Sequence, residues 1–169
     1  MEEEIDEGRT SLLAYLLELT SMMAICAESE VAKDLYTAMY THPMSLRIMR
    51  QADTEKIKDI FAPFSPDWTD EDFALTENAV SGIEYASLRD ENAENISLDR
   101  RVFKTLNIVM KAYNVPQELR QQKIQKVLGL DYRRIGRQFV EGLTDYVWKM
   151  IGLALEEVQR KHKTKRSAF

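Results

Sequence analysis

The chain has 169 residues, 44% of them hydrophobic and 30% charged, with a formal net charge of -5 and a single cysteine. That length and apolar content suit one compact domain with a sizeable core. No apolar run approaches the roughly 20 residues needed to cross a bilayer, the acidic start from Met1 to Glu7 is unlike the basic lead of a secretory signal, and one cysteine cannot form an internal disulfide; a soluble, cytoplasmic protein with no membrane partner is expected.

Glycine and proline fall mostly at apparent boundaries, and apolar residues recur at three- and four-residue spacings, so the expected fold class is all-α, a helical bundle of about 7 helices. After an acidic lead (1–9), the first helix begins near Thr10 or Ser11. It buries Leu12, Leu16, Leu19, Met23 and Cys26, with Leu13, Leu17 and Ile25 widening the stripe. Ser29 is placed to cap a second helix, with Glu30 favourable against its dipole. Val31, Leu35 and Met39 lie one turn apart on it, and His42 and Pro43 end it. Proline suits a first helical position, so a third helix is expected from Pro43, with a break near Asp53, to Phe61. The stretch from Ala62 to Trp68, with Pro63 and Pro66, is a loop.

Thr69 followed by Asp70, Glu71 and Asp72 is a start signal for a fourth helix, whose face is Phe73, Thr76, Val80, Ile83 and Ser87. Gly82 sits inside it at a cost of about 1 kcal/mol relative to alanine, a cost most easily offset where another helix approaches closely. Ser97 caps a fifth helix carrying Leu98, Val102, Leu106, Val109 and Tyr113, with Phe103 and Met110 beside them, closing at Asn114 and Val115. Pro116 opens a sixth through Leu128, with the thin stripe Ile124, Val127 and Leu128, stopped by Gly129. Asp131 caps a long last helix from Tyr132 to about Lys161, with Ile135, Phe139, Leu143, Tyr146 and Met150 on one face. Its length, about 45 Å for thirty residues, exceeds what a domain of this size covers, so a dimer is expected.

The basic tail (160–169) holds Arg160, Lys161, Lys163, Lys165 and Arg166, five of the 23 basic residues. The rest of the chain sets 18 bases against 28 acids, a balance that repels a phosphate backbone, so no nucleic acid is expected on this chain alone. A short terminal charge run is ordinarily a solvated end.

Motifs that carry chemistry are missing: there is no Gly-rich phosphate loop, HExxH, GxSxG or CxxC, so no catalytic residue, no enzyme activity and no cofactor are expected. Asp70, Glu71 and Asp72 are accounted for by the helix dipole. Neither His42 nor His162 has a Glu three residues before it, which rules out a ferritin-like di-iron set, and two histidines with Cys26 are a poor zinc set, so no metal is expected. Cys26 reads as a buried reduced thiol and His42 as a turn residue. What remains is a supply of aromatic and methionine side chains suited to either a packed core or a permissive apolar pocket.

The order of features from Leu12 to Tyr113 resembles the C-terminal region of TetR-family transcriptional regulators. The segment from Ala32 to Pro43 is similar to that family's second regulatory helix and turn. Gly82-Ile-Glu-Tyr-Ala-Ser-Leu88 is similar to the helix on which many members place a glycine and an aromatic, and Leu98 to Tyr113, closing in Tyr-Asn-Val-Pro116, looks like its dimerisation partner. The resemblance implies an effector-sensing and dimerisation domain that binds a small-molecule effector, a small apolar or aromatic ligand, in its core to modulate DNA binding by a headpiece, and that forms a homodimer. It implies ligand contacts at Tyr36, Met39, Tyr40, Phe61, Trp68, Tyr85 and Phe103, and a dimer interface through Val80, Ile83, Leu98, Val102, Leu106 and Val109. Two features depart from the family. No basic helix-turn-helix headpiece precedes Thr10, so the DNA-contacting positions have no counterparts here, and the segment from Pro116 to Lys161 extends past the usual ending. The alternative is a ligand-free helical protein–protein interaction module.

Overall fold

The computed structural model describes residues 11–42, 55–89, 95–138 and 140–141, and every regular element among them is helical. In chain order these are α1 (Leu12–Glu28), α2 (Glu30–Thr41), α3 (55–61) running into a 3-10 turn (Ala62–Phe64), α4 (Asp70–Arg89), α5 (Leu98–Ala112), α6 (Gln117–Leu128) and α7 (132–138, with 140–141). The chain is thus all-α with seven helices among the described residues. The acidic lead, the start of the third helix at Pro43 with its break near Asp53, the apolar positions Phe139, Leu143, Tyr146 and Met150, and the basic tail lie outside them. The described residues fall into two compact units that divide between Arg133 and Arg134.

Local side-chain chemistry sets the boundaries in the first unit. The hydroxyl oxygens of Ser11, Ser29 and Ser97 accept from the backbone N–H groups of Ala14 (3.1 Å), Ala32 (3.2 Å) and Arg100 (3.4 Å), each three residues on. Such bonds satisfy donors that a helix start leaves orphaned. At α4 the relation is reciprocal. Thr69 Oγ1 accepts from the Asp72 N–H while Asp72 Oδ2 accepts from the Thr69 N–H at 2.8 Å, a capping box with Asp in the acidic position. These bonds hold the Asp72 carboxyl below its ordinary range.

The end of α5 is a Schellman turn. The Val115 N–H reaches the Met110 carbonyl (3.0 Å) and the Asn114 N–H the Lys111 carbonyl (3.1 Å), with Asn114 at φ 59°, the left-handed conformation such a turn requires. Asn114 Nδ2 donates to Ser65 Oγ (3.1 Å), and that hydroxyl donates to the Tyr113 carbonyl (3.3 Å), tying the turn after α3 to the end of α5. Arg120 of α6 reaches back to the Val115 carbonyl and to Asn107 of α5. Tyr132 and Arg133, at the start of α7, both donate to Asp99 in the first turn of α5.

The core is arranged around α1, which packs against α2, α4, α5 and α6. Ten of its 17 residues are buried, among them Leu13, Leu16, Leu19, Met23 and Cys26. Fully burying a side chain such as Leu16 contributes about 1.5–3 kcal/mol, so contact on several sides makes α1 the largest source of hydrophobic stabilisation in this unit. Leu12, expected in the stripe, is only partly buried, and Leu13 takes its place. Val102, Leu106, Val109 and Tyr113 of α5, and Ile124 and Val127 of α6, complete the core.

Two expectations fail here. α2 buries no residue, and its expected apolar stripe faces outward, with Val31 80% and Leu35 58% exposed. It leans on the core through Tyr36 and Tyr40 instead. Gly82 is not a point of close helix approach, because a Cβ built there meets nothing within 4 Å. Its only effect is then the loss of helix propensity. Gly82→Ala should raise unfolding free energy by about 1 kcal/mol, read as a higher midpoint in urea with an unchanged m-value; a lowered midpoint would show a contact that open space does not predict.

Candidate functional site

Along α4 the buried residues are Phe73, Glu77, Val80 and Leu88. Their spacing, with Glu84 one turn beyond Val80, puts two glutamates two turns apart on the apolar face of the helix. Glu77 is 8% exposed and Glu84 half-buried. A carboxylate taken from water needs hydrogen-bond partners or its burial is costly, and three tyrosines from three other helices gather around this pair.

Tyr15 of α1 donates its hydroxyl to Glu84 Oε1 at 2.7 Å, and Tyr40 of α2 donates to Glu84 Oε2 at 3.1 Å. Tyr113, at the end of α5, is fully buried, and its hydroxyl finds no hydrogen-bond partner among the described residues. Burial pushes the Tyr113 hydroxyl well up, and the charges of Glu77 and Glu84 push it further. Tyr15 is raised by burial first and then by Glu84, with smaller contributions from Tyr113 and Tyr40. The three hydroxyls and two carboxylates therefore form one electrostatic cluster on the buried side of α4.

Aromatic rings line its dry side. Phe61 stacks on Tyr113 with centroids 4.0 Å apart and meets the Tyr15 ring edge-on at 5.6 Å. Trp68 lies 6.2 Å from Tyr113 and edge-on to Phe73 at 5.1 Å. On the wetter side, the rings of Tyr40 and Tyr85 are 6.3 Å apart, and the Tyr85 hydroxyl accepts from Arg89. Glu84 thus stands between a closed aromatic interior and a half-buried tyrosine pair.

Of the seven side chains expected to contact a ligand, Tyr40, Phe61, Trp68 and Tyr85 belong to this assembly. Tyr36 lies apart from it, near Cys26 and Glu18, its hydroxyl raised by burial and then by those groups. Met39 is 37% exposed. Phe103 packs against the core from α5 without ring stacking on the cluster among the described residues. Tyr15, Tyr113, Glu77 and Glu84 were not anticipated as site residues, although the spacing of the two glutamates with Phe73, Val80 and Leu88 carried the signal.

The expected dimer face needs correction. Val80, Val102, Leu106 and Val109 are buried inside one chain, at 2% or less exposure, and α4 packs directly on α5. A side chain with no accessible area has none to give to a second copy. Ile83 and Leu98 are partly buried against the same core.

Cys26 is a free, buried thiol pushed up to about 11 by burial, as suits an inert core residue. His42 follows the last residue of α2, where its N–H closes the helix on the Ala38 carbonyl. No group of three His, Cys, Asp or Glu able to hold a metal occurs among the described residues, and no helix among them is long and apolar enough to cross a membrane. No protein family, curated protein or solved structure matches the chain.

Two outcomes follow from this geometry. Tyr113→Phe removes a buried hydroxyl with no partner and should leave the free protein as stable or more stable by about 1 kcal/mol, measured by urea denaturation; a loss of that size would reveal a bond to the hydroxyl. The second concerns alkali. Tyr15, Tyr36, Tyr113 and Tyr132, the last pushed up to about 12, all hold their protons more tightly folded than unfolded. Their contribution is complete below the unfolded value of about 10 and is lost as pH rises beyond it. Stability should therefore fall steeply between about pH 10 and 12, and absorbance of the native protein at pH 11 should report fewer tyrosinates than the denatured chain; equal counts would contradict the buried cluster.

Proposed function

We infer that the chain is an effector-sensing domain, of the type found in TetR-family regulators, that binds a small molecule at the tyrosine–glutamate cluster and passes the binding on as a change in helix position. One observation carries this reading: hydroxyls from α1 and α2 both bond to Glu84 of α4, and beside them the hydroxyl of Tyr113, which caps the end of α5, is left unsatisfied in the interior. Each unmatched buried polar group costs about 1–3 kcal/mol, and a core selected for packing alone would carry phenylalanine there. A ligand bearing hydrogen-bonding groups supplies the missing partner.

The coupling lies in Tyr40. Its hydrogen bond to Glu84 is the longer of the two, and α2 buries no residue of its own. A ligand that competes for Glu84 weakens the hold on α2, and a ligand that bridges Glu84 and Tyr40 strengthens it. Either way the ligand binds two helix arrangements with different affinity, which is what shifts a population. No bond is made or broken in this scheme, and a headpiece joined to such a domain would read the shift as altered DNA binding. Dimerisation in this reading uses outward residues of α4 and α5, Leu75 and Ile108, instead of the buried set.

A second reading is favoured by α2 itself. Val31, Leu35 and Met39 form an outward stripe at one-turn spacing, which suits a helical protein–protein interaction module with no ligand.

Native mass spectrometry of the purified chain separates the two. The sensor reading expects a dimer that retains a small organic molecule, released on denaturation. Leu75→Glu with Ile108→Glu should convert that dimer to monomer while the adduct stays. A monomer without adduct, whose association with other proteins is abolished by Leu35→Glu, would favour the interaction module.

A further inference from the structure

The charge of this chain is not spread evenly over its helices. Residues 11–42 and 55–89 hold twelve acids and four bases, whereas α5 and α6 with the residues that bound them (95–128) hold seven bases and two acids. In the acidic part each lysine has a carboxylate partner: Lys33 meets Glu30, Lys56 meets Glu18 and Lys58 meets Asp70. α5 is different. Arg100, Lys104 and Lys111, four and seven residues apart, share the side of the helix opposite Val102, Leu106 and Val109. All three are exposed, and none has an ion pair or a side-chain hydrogen bond among the described residues. The one acid of α5, Asp99, lies on another side and accepts from Tyr132 and Arg133.

Like charges one turn apart work against a helix, and Arg100 and Lys104 have no neighbouring acid to relieve them. An anionic partner does so. The stripe runs about 16 Å along α5, the length of a three-turn helix. A nucleic acid is a continuous polyanion that runs past both ends of such a stripe, over a body whose other charge repels it: α1 and α4, both packed on α5, carry seven acids and one base. A short acidic helix ends where the stripe ends. Carboxylates on it at the same four- and seven-residue spacing stand one before each cation, the complementarity that sets register and encounter rate at a charged surface.

The geometry points to the outward face of α5 as a docking surface for an acidic helical segment of another protein, held by Arg100, Lys104 and Lys111. This stands apart from the sensor reading, and Ile108, given above to the dimer contact, has no part in it.

The test is fluorescence anisotropy of a labelled helical peptide, made of alanine with three glutamates at the four- and seven-residue spacing of the stripe, titrated with the full chain at pH 7. The peptide should bind saturably at low salt and progressively more weakly as salt is added. The same peptide with glutamine in place of glutamate should bind at least roughly tenfold more weakly, and Lys104→Glu and Lys111→Glu should each weaken binding of the glutamate peptide about fivefold, as expected for reversing one exposed charge of a pair. Both positions are exposed, and circular dichroism checks that the variants fold. Lys58→Glu, the same change of net charge on α3, should leave binding within about twofold, since it lies outside the stripe. Equal weakening by Lys58→Glu overturns the assignment to α5, and equal binding of the glutamine peptide overturns the acidic partner. Tighter binding of a labelled oligothymidine than of the peptide, lost in Lys104→Glu, gives the stripe to nucleic acid and overturns the protein partner. Absence of saturable peptide binding at low salt overturns the docking surface itself.

Discussion

A helix enclosed by four neighbours buries its polar atoms at a cost unless its own backbone or those neighbours supply partners, and on α1 only the Ser21 hydroxyl is left buried without one. In this protein α1 imposes that condition on the first unit. Its Thr20 hydroxyl turns back to the Leu16 carbonyl, 2.7 Å away in its own helix. Its Tyr15 hydroxyl cannot do so, because a phenol projects away from its own backbone, and Glu84 of α4 meets it. The placement of α4 against α1 is therefore fixed by a directional bond as well as by the apolar contacts of Phe73, Val80 and Leu88. Once Glu84 is held there, its second oxygen is available to α2, and Tyr40 takes it.

This arrangement has a stability cost as a core. Two carboxylates on the inward face of α4 are harder to bury than the leucines the same positions would accept, and replacement of buried ionic groups by packed apolar ones is often neutral or stabilising. Local violations of otherwise consistent design are expected at sites kept for function. The remainder of the unit is consistent: serine caps at α1, α2 and α5, a capping box at α4 and a Schellman close at α5 all agree with the helices they bound. The departures include Glu77, Glu84 and Tyr113, spread over 37 positions of the chain, and the unpartnered buried hydroxyl of Ser21 on α1.

Helix positions were legible in the sequence because capping is chemistry within three residues. Ser11, Ser29, Thr69, Ser97 and Asn114 act on backbone groups so near that no distant contact overrides them. Helix faces were legible where one stripe dominates, as with Val102, Leu106 and Val109 on α5. On α2 two stripes compete, Val31-Leu35-Met39 and Tyr36-Tyr40, and hydrophobicity alone ranks the first above the second. The choice is made by an acceptor 44 residues away, which no local pattern contains. The same limitation hid the site. Acidic residues inside α4 fit a solvated face until Tyr15 and Tyr113 are known to lie opposite them, and side chains assigned to a dimer surface proved to fill the space behind them.

The second helix has a kinetic character that follows from its footing. Among the described helices of the first unit α2 is the one with no buried residue, leaning on the core through Tyr36 and Tyr40, and local opening free energies scale with what is exposed. Its amide protons should trade with solvent deuterium far sooner than those of α1, which opens only with the whole core. On the proposed reading, a molecule bound at Glu84 would change that exchange, so the isotope clock of one twelve-residue segment would report the state of the interior.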